Sequence, residues 1–288
     1  FPFLLRSNKD LKRKGNSLSK FTQLLLIGNK MNLMSTRLIG LDIARYFAFI
    51  GMVIVNFDVV MSNGVQNNEG LINDFIGQLQ GRASATFVVL AGIGLGLSSS
   101  KKMSPSVNVT VKRAIFLLLL GLLNMLIFVG DILHYYAFYF FFGFFLLSLN
   151  NRILIGIICL VNAGFFAMLL SFNYETGWNF KELTYSGFWT IDGFIRNLFF
   201  NGFHPILPWL GFFLFGILLS RASLRERNVQ LKMIAWGSTA IIFAEVMSFI
   251  LSTYLIPIDS ELQLLVMTDS MPPMPLYVLA ATGAASLV

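Results

Sequence analysis

The sequence contains two histidines, His134 and His204. An imidazole moves protons readily near neutral pH, its unperturbed pKa being about 6.5. His134 follows Asp131 by three residues, which puts carboxylate and imidazole one helical turn apart and lets the first hold one tautomer of the second. That is the geometry of an oriented general base. It is equally the geometry of an interfacial histidine that caps its own helix. His204, with Pro205 behind it and Trp209 close by, suits a base or a structural helix entrance.

Cations form the second group. In the apolar stretch GLDIARYFAFIGMVIVNF, Asp42 and Arg45 stand at i and i+3 on one helix face. They either pair locally, with Arg45 snorkelling out of the bilayer, or line a cavity where Arg37 and Arg45, with Arg113, meet a phosphorylated ligand. Asn56 comes eleven residues after Arg45, about 16 Å further along a helix. It suits chemistry at the far end or a bond to a neighbouring helix. Arg82 begins another apolar run, where it can neutralise Asp58, Asp74 or a developing oxyanion. Glu245, inside a later run, is expected to face the interior. Gly92 and Gly96 fit a small-residue helix contact. There is no Walker loop, no G-x-S-x-G nucleophile and no His/Cys spacing that suggests a metal.

These residues must be positioned by membrane helices. The chain is 56% hydrophobic and 12% charged, against roughly 25% charged in soluble domains. Apolar runs near the ~20 residues that cross a bilayer recur at 38–61, 82–99, 111–129, 132–149, 153–172, 205–220, 233–256 and from 275. The expected fold is an all-α polytopic bundle of about eight spans. Apart from Arg45, Arg82, Lys181 and Arg196, every basic residue falls in the N-terminal segment or in alternate loops. The positive-inside rule then places the N-terminus in the cytoplasm and both histidines at the opposite face. Basic residues split among separate loops argue against nucleic-acid binding. Cys159, within an apolar run, reads as a buried structural thiol. Residues 1–34 are a polar, basic segment, read as disordered or upstream of the native start. Residues 35–288 form the membrane domain, and its eighth span is expected to be cut short. IDGFIRNLFFNGF predicts a short interfacial helix with Asp192 as cap.

Residue by residue, RLIGLDIARYFAFIGMVIVNF resembles the first-span signature of bacterial heparan-alpha-glucosaminide N-acetyltransferase-like proteins and their YeiB-like relatives. GRASATFVVLAGIG, GDILHYYAFYF, NYETGWNF…FWTIDGF, NGFHPILPWLGFFLFGILLSR and MPPMPLY follow in the right order, covering about Arg37 to the C-terminus. The resemblance implies a membrane acyltransferase of the bacterial cytoplasmic membrane. It implies acetyl-CoA or another acyl-CoA as co-substrate, no metal, and an extracytoplasmic glycan or small-molecule acceptor. Arg37, Asp42, Arg45 and Arg113 would serve the acyl donor. His134, His204, Asp131, Asn56 and Arg82 would serve the chemistry. One departure stands out. Related acyltransferases with an Arg-x10-His pattern carry a functional histidine where this chain has Asn56. The heparan enzyme instead places its catalytic histidine in the loop after the first span, and here that loop has none. The proton acceptor must then lie elsewhere. A transporter or a non-catalytic protein on the same scaffold is the alternative. A transporter would favour internal repeats and broken helices, and no repeat between the halves is evident.

Overall fold

The structure is a computed structural model that describes residues 38–61, 70–100, 107–255 and 263–288. Arg37, the N-terminal segment and most of the loop after the first span lie outside the described residues. Two units are distinguished, Phe1–Asp42 and Ile43–Val288. The described part of the first is only the start of α1, and all the other elements belong to the second.

Helices form where the apolar runs are: α1 (Ile39–Met61), α2 (Leu71–Leu79), α3 (Arg82–Ser100), α4 (Val107–Asn124), α5 (Leu133–Leu146), α6 (Asn151–Ser171), α7 (Ile191–Arg196), α8 (Ile206–Ser220), α9 (Arg227–Leu255) and α10 (Pro275–Leu287). A hairpin of two short strands, β1 (Trp178–Asn179) and β2 (Thr184–Tyr185), interrupts them. The fold is an all-α membrane bundle. Among the described residues, five helical segments are long and apolar enough to cross a bilayer, a sixth if the bent pair 191–201 and 206–220 counts as one. Expected spans at α5 and α10 are present as helices of 14 and 13 residues, about 20 Å each against a ~30 Å hydrocarbon core. α4 ends earlier than its apolar run, because residues 125–132 turn back to begin α5.

The exterior explains the composition. α1, α4, α6 and α9 turn Phe47, Phe57, Leu119, Leu160 and Phe249 outward. Such a surface is a liability in water and ordinary in hydrocarbon. Cys159 belongs to it: the thiol is exposed, which corrects the expected burial. A run apolar all round says nothing about which face meets lipid.

Inside, α3 packs on α8 through small residues. A Cβ on Gly92 would collide with the Phe213 carbonyl, and one on Gly216 with that of Val89. Without a hydrophobic force between helices in lipid, such backbone approach supplies the packing energy. The core around this contact is aromatic: Trp209, Tyr135, Tyr139, Tyr277, Phe212 and Phe213 are fully buried.

A compact cap covers one end. In it α7 runs into a π-helical turn, Asn197–Asn201. The α7 cap is Thr190, whose Oγ1 accepts from Gly193 N at 3.1 Å. Asp192 sits in the first turn instead, correcting the expected cap. A carboxylate there still complements the helix dipole.

Candidate functional site

The turn between α4 and α5 brings Asp131 and His134 together as their spacing requires. Asp131 Oδ2 accepts from the His134 backbone N at 3.0 Å and lies 2.8 Å from His134 Nδ1. Asn124 Nδ2 donates to Asp131 Oδ1 at 2.8 Å. Both side chains are buried, at 2% and 0% exposure. Burial alone would push the Asp131 carboxyl up. The hydrogen bonds from the His134 ring, Asn124 and the His134 backbone outweigh it, so its pKa lies below the usual carboxylate value. Asp131 is therefore a fixed anion that favours the Nδ1–H tautomer and leaves Nε2 as the basic nitrogen. The corner sits against α4 because residue 121 is glycine. A Cβ there would lie 2.8 Å from Asp131 Oδ2 and strike the His134 backbone.

His134 Nε2 is buried with no hydrogen-bond partner among the described residues. His204 Nδ1, Tyr136 Oη, Trp209 Nε1 and Tyr277 Oη share that condition. The rings connect: His134 to Tyr135 at 3.8 Å, Tyr135 to His204 at 6.1 Å, His204 to Trp209 at 4.4 Å, and Trp209 to Tyr277 at 6.2 Å between centroids. An unmade buried hydrogen bond costs about 1–3 kcal/mol. Four of these polar atoms lie along this string of buried rings, and with Tyr136 Oη they make a candidate polar site within the aromatic core, called the chamber below. Tyr139 donates to the His204 carbonyl just before α8 begins.

Arg82, the first residue of α3, ion-pairs with Glu245 of α9 and also donates to the Gln78 side chain. Thr268 Oγ1 donates to the other Glu245 oxygen at 3.2 Å. Among its described contacts Arg82 is thus paired with Glu245, whose side chain is 35% exposed, and lies near enough to Asp269 to attract it. Asn56 is exposed on α1, and no described hydrogen bond joins it to His134 or Arg82.

At the opposite end of α3 a second site forms. Arg45 of α1 and Arg113 of α4 line a cavity of about 510 Å³ with Ser98, Thr110 and Phe140. Arg45 passes over Gly94, where a Cβ would lie 3.4 Å from Nη2. The Arg113 guanidinium stacks 4.2 Å over the Phe140 ring, and the two guanidiniums are close enough to repel. Two like charges in one cavity suit a polyanion that each can bind bidentately. Asp42 lies in the first turn of α1, and Arg37 lies outside the described residues. Ser98 stands sixteen positions after Arg82, so the two sites are about 24 Å apart along one helix.

Sequence reading missed Asn124, Tyr136, Trp209, Tyr277 and Phe140 as site residues. For Tyr136 and Phe140 the aromatic richness of GDILHYYAFYF was a signal, but aromatics are ordinary core residues. Among the described residues no group of His, Cys, Asp and Glu could hold a metal ion.

The family described as heparan-alpha-glucosaminide N-acetyltransferase, catalytic, matches residues 37–257. That range includes every candidate above except Thr268 and Tyr277. No curated protein and no solved structure matches.

Proposed function

The chain belongs to the heparan-alpha-glucosaminide N-acetyltransferase catalytic family, and from that premise we propose that it moves an acetyl group from cytoplasmic acetyl-CoA to an acceptor on the far side of a bacterial cytoplasmic membrane. Arg45 and Arg113 hold the phosphates of the acyl donor in the basic cavity. The pantetheine arm carries the thioester along α3 toward the chamber. There His134 Nε2 takes the proton from the acceptor amine or hydroxyl, and Asp131 stabilises the imidazolium that forms. The acceptor nucleophile bonds to the acetyl carbonyl carbon, the C–S bond breaks, and the His134 imidazolium returns its proton to the departing CoA thiolate. Arg82, neutralised by Glu245, organises the chamber wall; a direct role at the oxyanion would require it to leave that partner.

One observation carries this reading: an Asp-oriented histidine whose second nitrogen is buried and unpartnered, on the same helical scaffold as a two-arginine cavity. The broken helix pair, bent by 50°, would suit a transporter. However, the polar groups at that break, Asn197 and Asn201, are bonded to Tyr135, Tyr185 and backbone carbonyls. These two are taken up by structure, which leaves His204 as the unpartnered side chain at the break.

The test is to reconstitute the protein in vesicles enclosing acetyl-labelled CoA, add native membrane extract outside, and follow the label. Transfer across the bilayer, abolished by His134→Gln and retained by His204→Gln, is expected. Transfer indifferent to His134 would move the base to His204 or discard the histidine mechanism. Label retained wholly on CoA would favour the non-catalytic reading.

A further inference from the structure

Resting on the acyl-transfer reading, the geometry points to the acceptor as a membrane-anchored amphiphile, its headgroup pairing with Lys181 and Glu182 and its apolar part lying in the groove between α1 and the cap. This groove, separate from the basic cavity and the chamber, has a volume of about 600 Å³. Val59 and Val60 from the end of α1 form one wall, the turn Ile127–Gly130 forms another, and the hairpin tip Lys181–Thr184 closes it with Phe203. Gly130 immediately precedes Asp131, and Phe203 immediately precedes His204. The groove is therefore lined by the chain neighbours of Asp131 and His204.

Its chemistry is two-sided. Polar side chains come only from the hairpin tip: Lys181, Glu182 and Thr184. The rest of the lining is aliphatic or phenyl. A site for a free oligosaccharide needs convergent polar groups on several walls to replace the sugar's hydration, because a polar group buried without a partner is costly. Here such groups stand on one edge, the arrangement that suits a headgroup on an apolar anchor. Lys181 matches a phosphate or carboxylate. Glu182 matches the amine or hydroxyl to be acylated.

The charged edge is held rather than loose. Asn179 Oδ1 accepts from the backbone N–H groups of Lys181 at 3.2 Å and Glu182 at 3.3 Å. Leu183 takes φ 49°, a left-handed conformation costly for a bulky side chain, and lines the groove. The open side runs to apolar surface: Ile127 and Met61 are 89% and 80% exposed. In a membrane protein that surface meets acyl chains, so an anchored acceptor slides in from the bilayer without leaving it.

Two measurements test this. In the vesicle labelling reaction, label should be recovered in the chloroform–methanol extract, and Lys181→Glu should raise the acceptor KM about tenfold while leaving the acetyl-CoA KM unchanged. Label confined to water-soluble product overturns the proposal while leaving acyl transfer intact. Absence of any transfer instead rejects the enzymatic reading on which it rests. The second measurement needs no activity. In a Cys159→Ala background, a nitroxide on Ile127→Cys in phosphatidylcholine vesicles should relax mainly by collision with oxygen, which concentrates in lipid. Relaxation dominated by aqueous nickel chelate would show that the groove opens to water and would overturn the proposal by itself.

Discussion

The cap and the chamber beneath it are both rich in buried polar groups, yet they treat them in opposite ways. In the cap, Asn201 is fully buried and its side chain is used on both sides. Nδ2 donates to the Tyr174 and Thr176 carbonyls at 2.7 and 2.8 Å, and Oδ1 accepts from Tyr185 at 2.8 Å. Its own carbonyl accepts from Trp178 Nε1, and Arg196 Nε donates to the Tyr185 hydroxyl. The Tyr174 hydroxyl is the exception. In the chamber, His134 Nε2, His204 Nδ1, Tyr136 Oη, Trp209 Nε1 and Tyr277 Oη are buried and unpartnered. A satisfied network fixes one structure, whereas an unsatisfied one is tolerated where something else uses it. The cap spends its polar groups on architecture, and the chamber is where we propose the chemistry takes place.

This contrast can be broken by mutation. The largest effect belongs to the chamber: His134→Gln should slow acetyl transfer by roughly 10²–10⁴, the usual worth of a general base, with acetyl-CoA affinity nearly unchanged and a stability loss no larger than the roughly 2 kcal/mol of its buried bond to Asp131. A variant that unfolds instead would assign His134 to structure. In the cap the expectation is reversed. Asn201→Ala strands the Tyr185 hydroxyl and two backbone carbonyls, and should cost about 3 kcal/mol, read as a fall in the thermal midpoint with residual activity per folded molecule preserved.

Asp131 sharpens the boundary, since it is satisfied and yet serves the chamber. Its pKa is lowered in the folded state, so its stabilisation is full above the unfolded value near ~4 and is lost as pH falls through the depressed native value. Asp131→Asn should cost about 2 kcal/mol at neutral pH. The gap from the parent in denaturant unfolding should close only in acid, below about pH 4. A gap that persists unchanged at lower pH would mean the contact does not depend on charge. Arg113→Ala should raise the acetyl-CoA KM about tenfold at constant kcat, equivalent to about 1.4 kcal/mol. A fall in kcat alone would detach the basic cavity from donor binding. The smallest effect is the most discriminating. Tyr277→Phe removes an unpartnered hydroxyl and should change stability by less than about 1 kcal/mol in either direction. A loss as large as that of Asn201→Ala would erase the distinction between the regions.

What the sequence determined by itself is local. Helices lie where apolar runs lie, because run length and backbone hydrogen bonding leave lipid-facing segments little choice. The Asp131–His134 pair followed from an i, i+3 spacing, and the Gly92/Gly96 contact from a small-residue stripe. Tertiary structure decided everything that joins distant segments or chooses a face. Arg82 finds Glu245 163 positions away, and Tyr135 finds Asn197 62 positions away. Arg45 and Arg113 share a cavity only because α1 and α4 both meet α3 beside residues 90–98. The same limit explains Cys159 and Asn56. Helices that are apolar on every side carry almost no signal of which side is inside. Only close packing between backbones, through glycines such as Gly92 and Gly216, selects the rotation that turns one face to the core and the other to lipid.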